Sequence, residues 1–386
     1  MMNPDSKHPI GSYCELYDIK PNMELKKGMD FRKPEYRREV FLRFYEFHLK
    51  YRAHPGAVYF MFPYLQKRFE LDMEDMLWVT FINGLSQHIV TTWDIFSKFP
   101  KFTADKDEVQ QYILDNWKLL GWDMDRRYVK TKFGESLEKY QQLIKDSTES
   151  NTQVEYWDRL CNTDDEYENF RNCWTEVMNK FAYFGRLSTF SYLEYQRIIG
   201  LNLDCDNLFL EDMKGSQSHR NGICKVLGRD DMDWHDKLNP DFEGYREEHI
   251  EWLTDEGAKL LEESRERFKD KEFYRDVSYF TLESTLCCYK SWHRKNRRYP
   301  NVYMDMFHDR IRKAEEASEG TKDMSLFWEA RKENLPENLR IEDVPGDVGL
   351  KPEKQNHYRQ TGQVIMMNEE WSCFENNYNK KKSLFC

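Results

Sequence analysis

Long apolar runs are missing from this chain. No stretch approaches the ~20 residues of a membrane span, and the N-terminus has no charged-then-apolar leader pattern. The nine cysteines are an odd number and include no Cys-x-x-Cys pair. That argues against a structural zinc or iron–sulfur site and for free thiols in a reducing cytoplasm. A phosphate-binding P-loop, a Rossmann glycine pattern, a His-Glu-x-x-His pair and a Gly-x-Ser-x-Gly elbow are also lacking. The common cofactor classes therefore have no support. Internal repeats, low-complexity blocks and convincing alternating strands are absent too, save a short run at 363–367.

Aromatic residues are what the chain has in quantity. With 25 Phe, 23 Tyr and 11 Trp among 386 residues, and 39% apolar overall, it can bury a large core and cannot be a disordered chain. The net charge of −11 argues against unspecific coating of nucleic acid, an affinity that rests on phosphate neutralisation. The charge is unevenly spread. Residues 229–270 hold 15 acidic and 7 basic side chains, a net of −8, whereas residues 281–313 hold 8 basic and 3 acidic, a net of +5. One basic strip on an acidic protein can still grip a polyanion locally.

Periodicity reads as a mainly α protein. Pro34 opens a first helix with Val40, Phe41, Phe44, His48 and Tyr51 at helical spacing, closed by His54, Pro55 and Gly56. Further helices are expected at 73–98 (Asp72 as cap), 105–120, 125–147, 165–182, 187–200, 218–228 after a serine cap, and 276–297, with a mostly helical acidic segment before the last. Residues 1–33 read as an irregular arm, 34–315 as one helical domain, and 316–386 as a polar C-terminal extension.

Three stretches carry candidate chemistry. The first sets Asn83, Ser86, Gln87, His88, Thr91 and Thr92 among apolar residues, with Asn83, Gln87 and Thr91 on one stripe of the expected helix. Buried amides and hydroxyls without partners cost roughly 1–3 kcal/mol each. Such a cluster lines either a polar pocket, as a flipped nucleobase requires, or a satisfied internal network. The second places Glu211 and Asp212 just before Ser218, His219, Arg220 and Asn221. A carboxylate, an imidazole and a guanidinium this close can supply acid–base chemistry and anion binding, and a helix start offers free N–H groups to a phosphate. An ordinary cap with a charged surface is the alternative. The third combines Lys290, Arg294, Lys295, Arg297 and Arg298 with Trp292 and Tyr299. Arginine forks suit phosphate and aromatic faces suit bases, although a charge run can equally be a solvated face.

Taken together, the segments 37–48, 54–56, 83–93, 185–189, 218–228, 286–290 and 297–300 resemble the amino acid:DNA transferase family of tailed bacteriophages, also described as alpha-glutamyl/putrescinyl thymine pyrophosphorylases. The resemblance covers about 35–310. It implies a helical fold distantly similar to helix-hairpin-helix DNA glycosylases. Leu85, Ser86 and Gln87 would then line the base pocket, Gly185 to Thr189 would stand near the hairpin, and Asp212 near the catalytic aspartate. The sequence departs from that pattern in lacking a Leu-Pro-Gly-x-Gly hairpin and a four-cysteine loop.

The reaction implied is replacement of the phosphate on phosphorylated 5-hydroxymethyluracil in DNA by an amino acid, with glycine or serine favoured and glutamate open. Asp212 and His219 are the catalytic candidates. Asn83, Gln87, His88, Thr91, Ser218, Arg220 and Asn221 are candidates for the base and substrate, and Lys290, Arg294, Lys295, Arg297, Arg298 and Tyr299 for DNA phosphate. No cofactor or metal ligand set is assigned, and a divalent metal is left open. The implied partners are double-stranded phage DNA, a free amino acid and a DNA kinase, with no membrane, in the cytoplasm of the infected host. Two other readings compete: a base-excision glycosylase using Asp212, and a non-enzymatic DNA-binding accessory using residues 290–299.

Overall fold

The computed structural model describes residues 23–25, 34–51, 57–232, 244–290, 306–335 and 374–376. In chain order its elements are strand β1 (Met23–Leu25), then α1 (Pro34–Tyr51), α2 (Val58–Phe69), α3 (Met73–Ser86), α4 (Ile89–Lys98), α5 (Lys106–Asp115), α6 (Phe133–Ser147) and α7 (Gln153–Leu160). They continue as α8 (Glu166–Lys180), α9 (Arg186–Ile198), α10 (Gln217–Val226), α11 (Glu247–Phe268), α12 (Tyr279–Tyr289), α13 (Met306–Ala317), α14 (Ser325–Asn334) and strand β2 (Phe374–Asn376). The protein is mainly α, as its periodicity indicates. Among the described residues no helix is long and apolar enough to cross a membrane.

The chain forms two compact units. One comprises Met1–His54, Asn207–Met306 and Leu335–Cys386; the other comprises Pro55–Asp206 and Phe307–Asn334. In the first unit, α10 packs on α12, and both pack on α1. The apolar face of α1 is made by Val40, Phe41, Phe44 and Tyr45, all fully buried. Its polar groups are answered from α12: the Tyr45 hydroxyl meets Thr281 Oγ1 at 2.7 Å, His48 Nδ1 pairs with Thr285 Oγ1, and Tyr289 donates to the Arg37 carbonyl at 3.1 Å. β1 and β2 pair antiparallel, with Met23 opposite Asn376.

The approach of α10 to α12 is set by Gly222. A Cβ there would press into the Leu286 carbonyl group, 2.8 Å from its carbon. Gly222→Ala is therefore expected to destabilise, by about 1–3 kcal/mol of overpacking, although alanine is by itself the better helix former by about 1 kcal/mol. Thermal denaturation checks this, and an unchanged or raised midpoint would show that the helices separate freely.

The second unit is built around α3, of which every residue from Met76 to Ser86 is buried. It packs on α4, α7 and α9, and the aromatic wealth of the sequence collects here. Phe81 stacks on Tyr140 with centroids 4.1 Å apart, and Phe181, Phe184, Trp157 and Tyr192 close the cluster.

Several expected boundaries change. The single helix at 73–98 is two, because Gln87 takes a left-handed conformation (φ 50°) and His88 caps α4 by accepting from the Thr91 amide. Asp72 does cap α3, accepting from the Asp75 amide at 2.8 Å. The segment 105–120 is helical only to Asp115, and 125–147 divides into a 3₁₀ stretch (Met124–Thr131) and α6. Short helices α2 and α7 were not signalled by periodicity, nor was α14, which buries Phe327 and Ala330 within the region read as a polar extension. Residues 291–297 of the expected helix at 276–297, and the short run at 363–367, lie outside the described residues.

Candidate active site

In the first unit, the loop from Asn207 to Ser216 leads into α10, and polar side chains of α10 hold that loop in shape. Asp212 Oδ1 accepts from the amides of Lys214 (3.2 Å) and Gly215 (2.8 Å), closing a turn of the kind Asp favours. The Ser216 hydroxyl donates back to the Phe209 carbonyl at 2.6 Å and makes no capping bond. The serine expected to cap this helix therefore braces the loop instead. Arg220 is fully buried and reaches the carbonyls of Leu210 (2.7 Å) and Met213 (2.8 Å), with its guanidinium over the Tyr245 ring. Burial presses its pKa below the usual arginine value. Asn221 Oδ1 accepts from the same tyrosine's hydroxyl at 3.3 Å. Arg220 and Asn221 thus face the protein's own backbone and Tyr245.

One turn before Gly222, His219 is completely buried against α12. Its Nε2 lies 2.9 Å from the Leu208 carbonyl, and its Nδ1 lies 2.9 Å from Glu283 Oε1. Cys287 Sγ stands one helical turn beyond Glu283, 3.4 Å from that carboxylate and 4.0 Å from His219 Nδ1. Burial pushes the Cys287 thiol well above its ordinary pKa, and the Glu283 charge adds to the effect. At the same end of α12, Lys290 Nζ donates to the Ser218 hydroxyl in the first turn of α10. A cation, a hydroxyl and a helix start therefore lie beside the His219 cluster. Glu283 and Cys287 were not singled out from sequence. The available signal was their i, i+4 spacing, which puts a carboxylate and a thiol on one helix face.

In the second unit, the polar cluster of α3 and α4 is largely an internal network. Thr92 donates to Asn83 Oδ1 at 3.0 Å and lies 3.0 Å from Ser86 Oγ, while Thr91 donates to the Gly121 carbonyl at 2.6 Å. Burial, followed by the charges of Arg310 and Lys322, holds the His88 imidazole well below its usual pKa, which keeps its ring neutral as an acceptor for the Thr91 amide. The stripe Asn83–Gln87–Thr91 does not form, because the break at Gln87 turns α4 away from the axis of α3. Two features still suit a polar ligand. Asn83 Nδ2 is buried without a hydrogen-bond partner, and the left-handed Gln87 is half-buried at the helix junction. Arg294, Lys295, Arg297, Arg298 and Tyr299 lie outside the described residues.

Comparison with known proteins agrees with the resemblance. The amino acid:DNA transferase family model matches residues 60–298, which include α10, α12 and the polar junction of α3 and α4. A serinyltransferase of Salmonella phage ViI is 29% identical over 306 residues, covering 75% of this chain and 71% of that protein. No solved structure matches. The chain belongs to the amino acid:DNA transferase family and is a transferase acting on DNA.

Proposed function

We propose that this enzyme replaces the phosphate on the 5-methylene carbon of phosphorylated 5-hydroxymethyluracil in DNA with an amino acid, serine being the first candidate. In that step the amine nitrogen bonds to the methylene carbon, the carbon–oxygen bond to phosphate breaks, and the amine sheds a proton. The choice of serine rests on the similarity to the phage serinyltransferase. The observation that carries the reading is the pairing of Lys290 with Ser218 at the start of α10, beside His219, Glu283 and Cys287. A lysine, a hydroxyl and the amides of a first helical turn suit a departing phosphate. The His219 cluster is assigned to making the amine nucleophilic, with Asp212 shaping the loop that leads to it. A phosphorylating enzyme must act on the DNA first.

In the second unit taken by itself, the junction of α3 and α4, where Asn83 Nδ2 and Gln87 offer amide groups, suits a pyrimidine edge. Gln87→Ala is expected to keep the fold and reduce selectivity for the modified uracil, by roughly 1–3 kcal/mol per lost bidentate contact. A strongly destabilised but equally selective variant would assign Gln87 to the internal network. The rest of the basic strip, Arg294, Lys295, Arg297 and Arg298, is assigned to DNA phosphate. Arg297→Ala and Arg298→Ala should each weaken DNA binding and lower the salt slope by about one unit. Equal affinity of variant and parent across a salt titration would remove the strip from the interface.

The test of the whole reading is incubation of kinase-treated, hydroxymethyluracil-containing DNA with the protein and a mixture of amino acids. Mass spectrometry of the digested nucleosides should show an amino acid adduct, with serine dominant. Abasic sites with free base would favour a glycosylase instead.

A further inference from the structure

We propose that His219, Glu283 and Cys287 bind one divalent transition-metal ion of the zinc class. Among the described residues this is the only group of three or more His, Cys, Asp or Glu side chains whose ligand atoms all lie within 4.8 Å of one another. A carbonyl oxygen only accepts, so the 2.9 Å contact with Leu208 places the ring proton on Nε2. That leaves the Nδ1 lone pair facing a carboxylate oxygen at 2.9 Å, inside a fully buried site. Two acceptors at that distance need a positive centre between them, either a proton or a metal ion.

A third group completes the donor set. Cys287 Sγ donates to Glu283 Oε1 at 3.4 Å and stands 4.0 Å from His219 Nδ1, so nitrogen, oxygen and sulfur converge on one point that a metal ion would take in place of the protons. The three edges bracket the separations of about 3.3–3.5 Å imposed by a tetrahedral ion with nitrogen and oxygen ligands at about 2.0 Å and sulfur at about 2.3 Å. A metal-bound histidine characteristically donates its other N–H to a backbone carbonyl or carboxylate, as His219 does to Leu208.

The donor set fixes the kind of ion. One nitrogen, one oxygen and one sulfur suit zinc or a neighbouring transition metal and do not suit magnesium or calcium, which take oxygen ligands. Three protein ligands leave a fourth position for an exogenous group, the arrangement of catalytic rather than structural zinc. Charge indicates what that group is. Glutamate and the thiolate left when a metal displaces the Cys287 proton together neutralise a divalent ion, and Lys290, paired with Ser218 close by, leaves the loaded site with a net positive charge. An anionic oxygen donor, phosphate or the carboxylate of an amino acid, is the matching class. The rigid contact of α10 with α12 at Gly222 holds the ligands from two helices in register.

The test is titration of chelator-stripped full-length protein with cobalt(II), which reports its ligands by colour. We expect one equivalent per chain, visible bands of a four-coordinate centre, and a thiolate-to-cobalt charge-transfer band in the near ultraviolet. Cys287→Ser should abolish the charge-transfer band with an unchanged far-ultraviolet circular dichroism spectrum. Glu283→Gln should weaken binding at least tenfold. Zinc should displace cobalt, and millimolar magnesium should not. A charge-transfer band that survives Cys287→Ser, a titration with no sulfur band, or binding well below one equivalent would each overturn the site. These readouts are independent of transfer activity, so failure of the proposed reaction leaves the metal site separately decided.

Discussion

Lys290→Ala is expected to lower transfer by about 10²–10³-fold while leaving DNA binding nearly intact. The magnitude is that of removing one preorganised donor from a group on which charge develops. Phosphate gains negative charge as it leaves the methylene carbon, and Lys290 is held at the first turn of α10 by its bond to the Ser218 hydroxyl. A lysine serving bulk DNA affinity would behave differently, because its loss would shift the salt dependence of binding and leave single-turnover chemistry unchanged. Single-turnover rates with phosphorylated DNA, measured beside a binding isotherm, separate the two. Ser218→Ala should cost less, since it removes a hydroxyl that orients the lysine. If Lys290→Ala transfers at the parental rate, the leaving phosphate is held elsewhere.

Arg220→Ala is expected to be the most destabilising single change in the first unit, by about 3–5 kcal/mol. Its guanidinium is fully buried, donates to the carbonyls of Leu210 and Met213, and lies 4.7 Å from the centre of the Tyr245 ring. Removing it strands those carbonyls and leaves a cavity where a large side chain had been. The reference for such a loss is the cost of breaking a buried charged network. The consequence for function is indirect, since the loop from Leu208 to Gly215 carries the carbonyl that orients His219. Urea denaturation gives the stability change. Chemical shifts of the His219 ring then show whether the loop has lost its hold. A variant as stable as the parent would mean that the loop keeps its shape without the arginine.

The sequence made parts of this architecture legible and concealed others for identifiable reasons. Long amphipathic helices such as α1 and α8 were readable because their apolar residues recur at one spacing and their ends carry Pro34 and Asp165. The junction of α3 and α4 was not. Nothing local marks Gln87 as left-handed, and the break depends on Ser86 and His88 supplying hydrogen bonds that a helix would otherwise make. The polar cluster around Asn83 reads equally as a pocket wall or an internal network, and the hydrogen bonds of Thr91 and Thr92 run to Gly121 and Asn83 within the protein. Arg220 read as an anion ligand, because sequence cannot reveal that its own loop turns carbonyls toward it. Glu283 and Cys287 lie 64 and 68 residues from His219, so only the packing of α10 on α12 brings them together. Such a site depends on a helix pair, and the i, i+4 spacing of Glu283 and Cys287 announces only the half that α12 supplies.

The central claim is that phosphate leaves the base as an amino group arrives, and the most direct measurement follows both in one reaction. DNA carrying phosphorylated 5-hydroxymethyluracil, with the phosphate radiolabelled, is incubated with the protein and serine. Released inorganic phosphate and seryl-modified nucleoside are then counted over time. The account predicts equal molar amounts at every time point, no abasic sites, and no phosphate release when serine is omitted. Phosphate released without an adduct, or free base appearing in place of one, would contradict it.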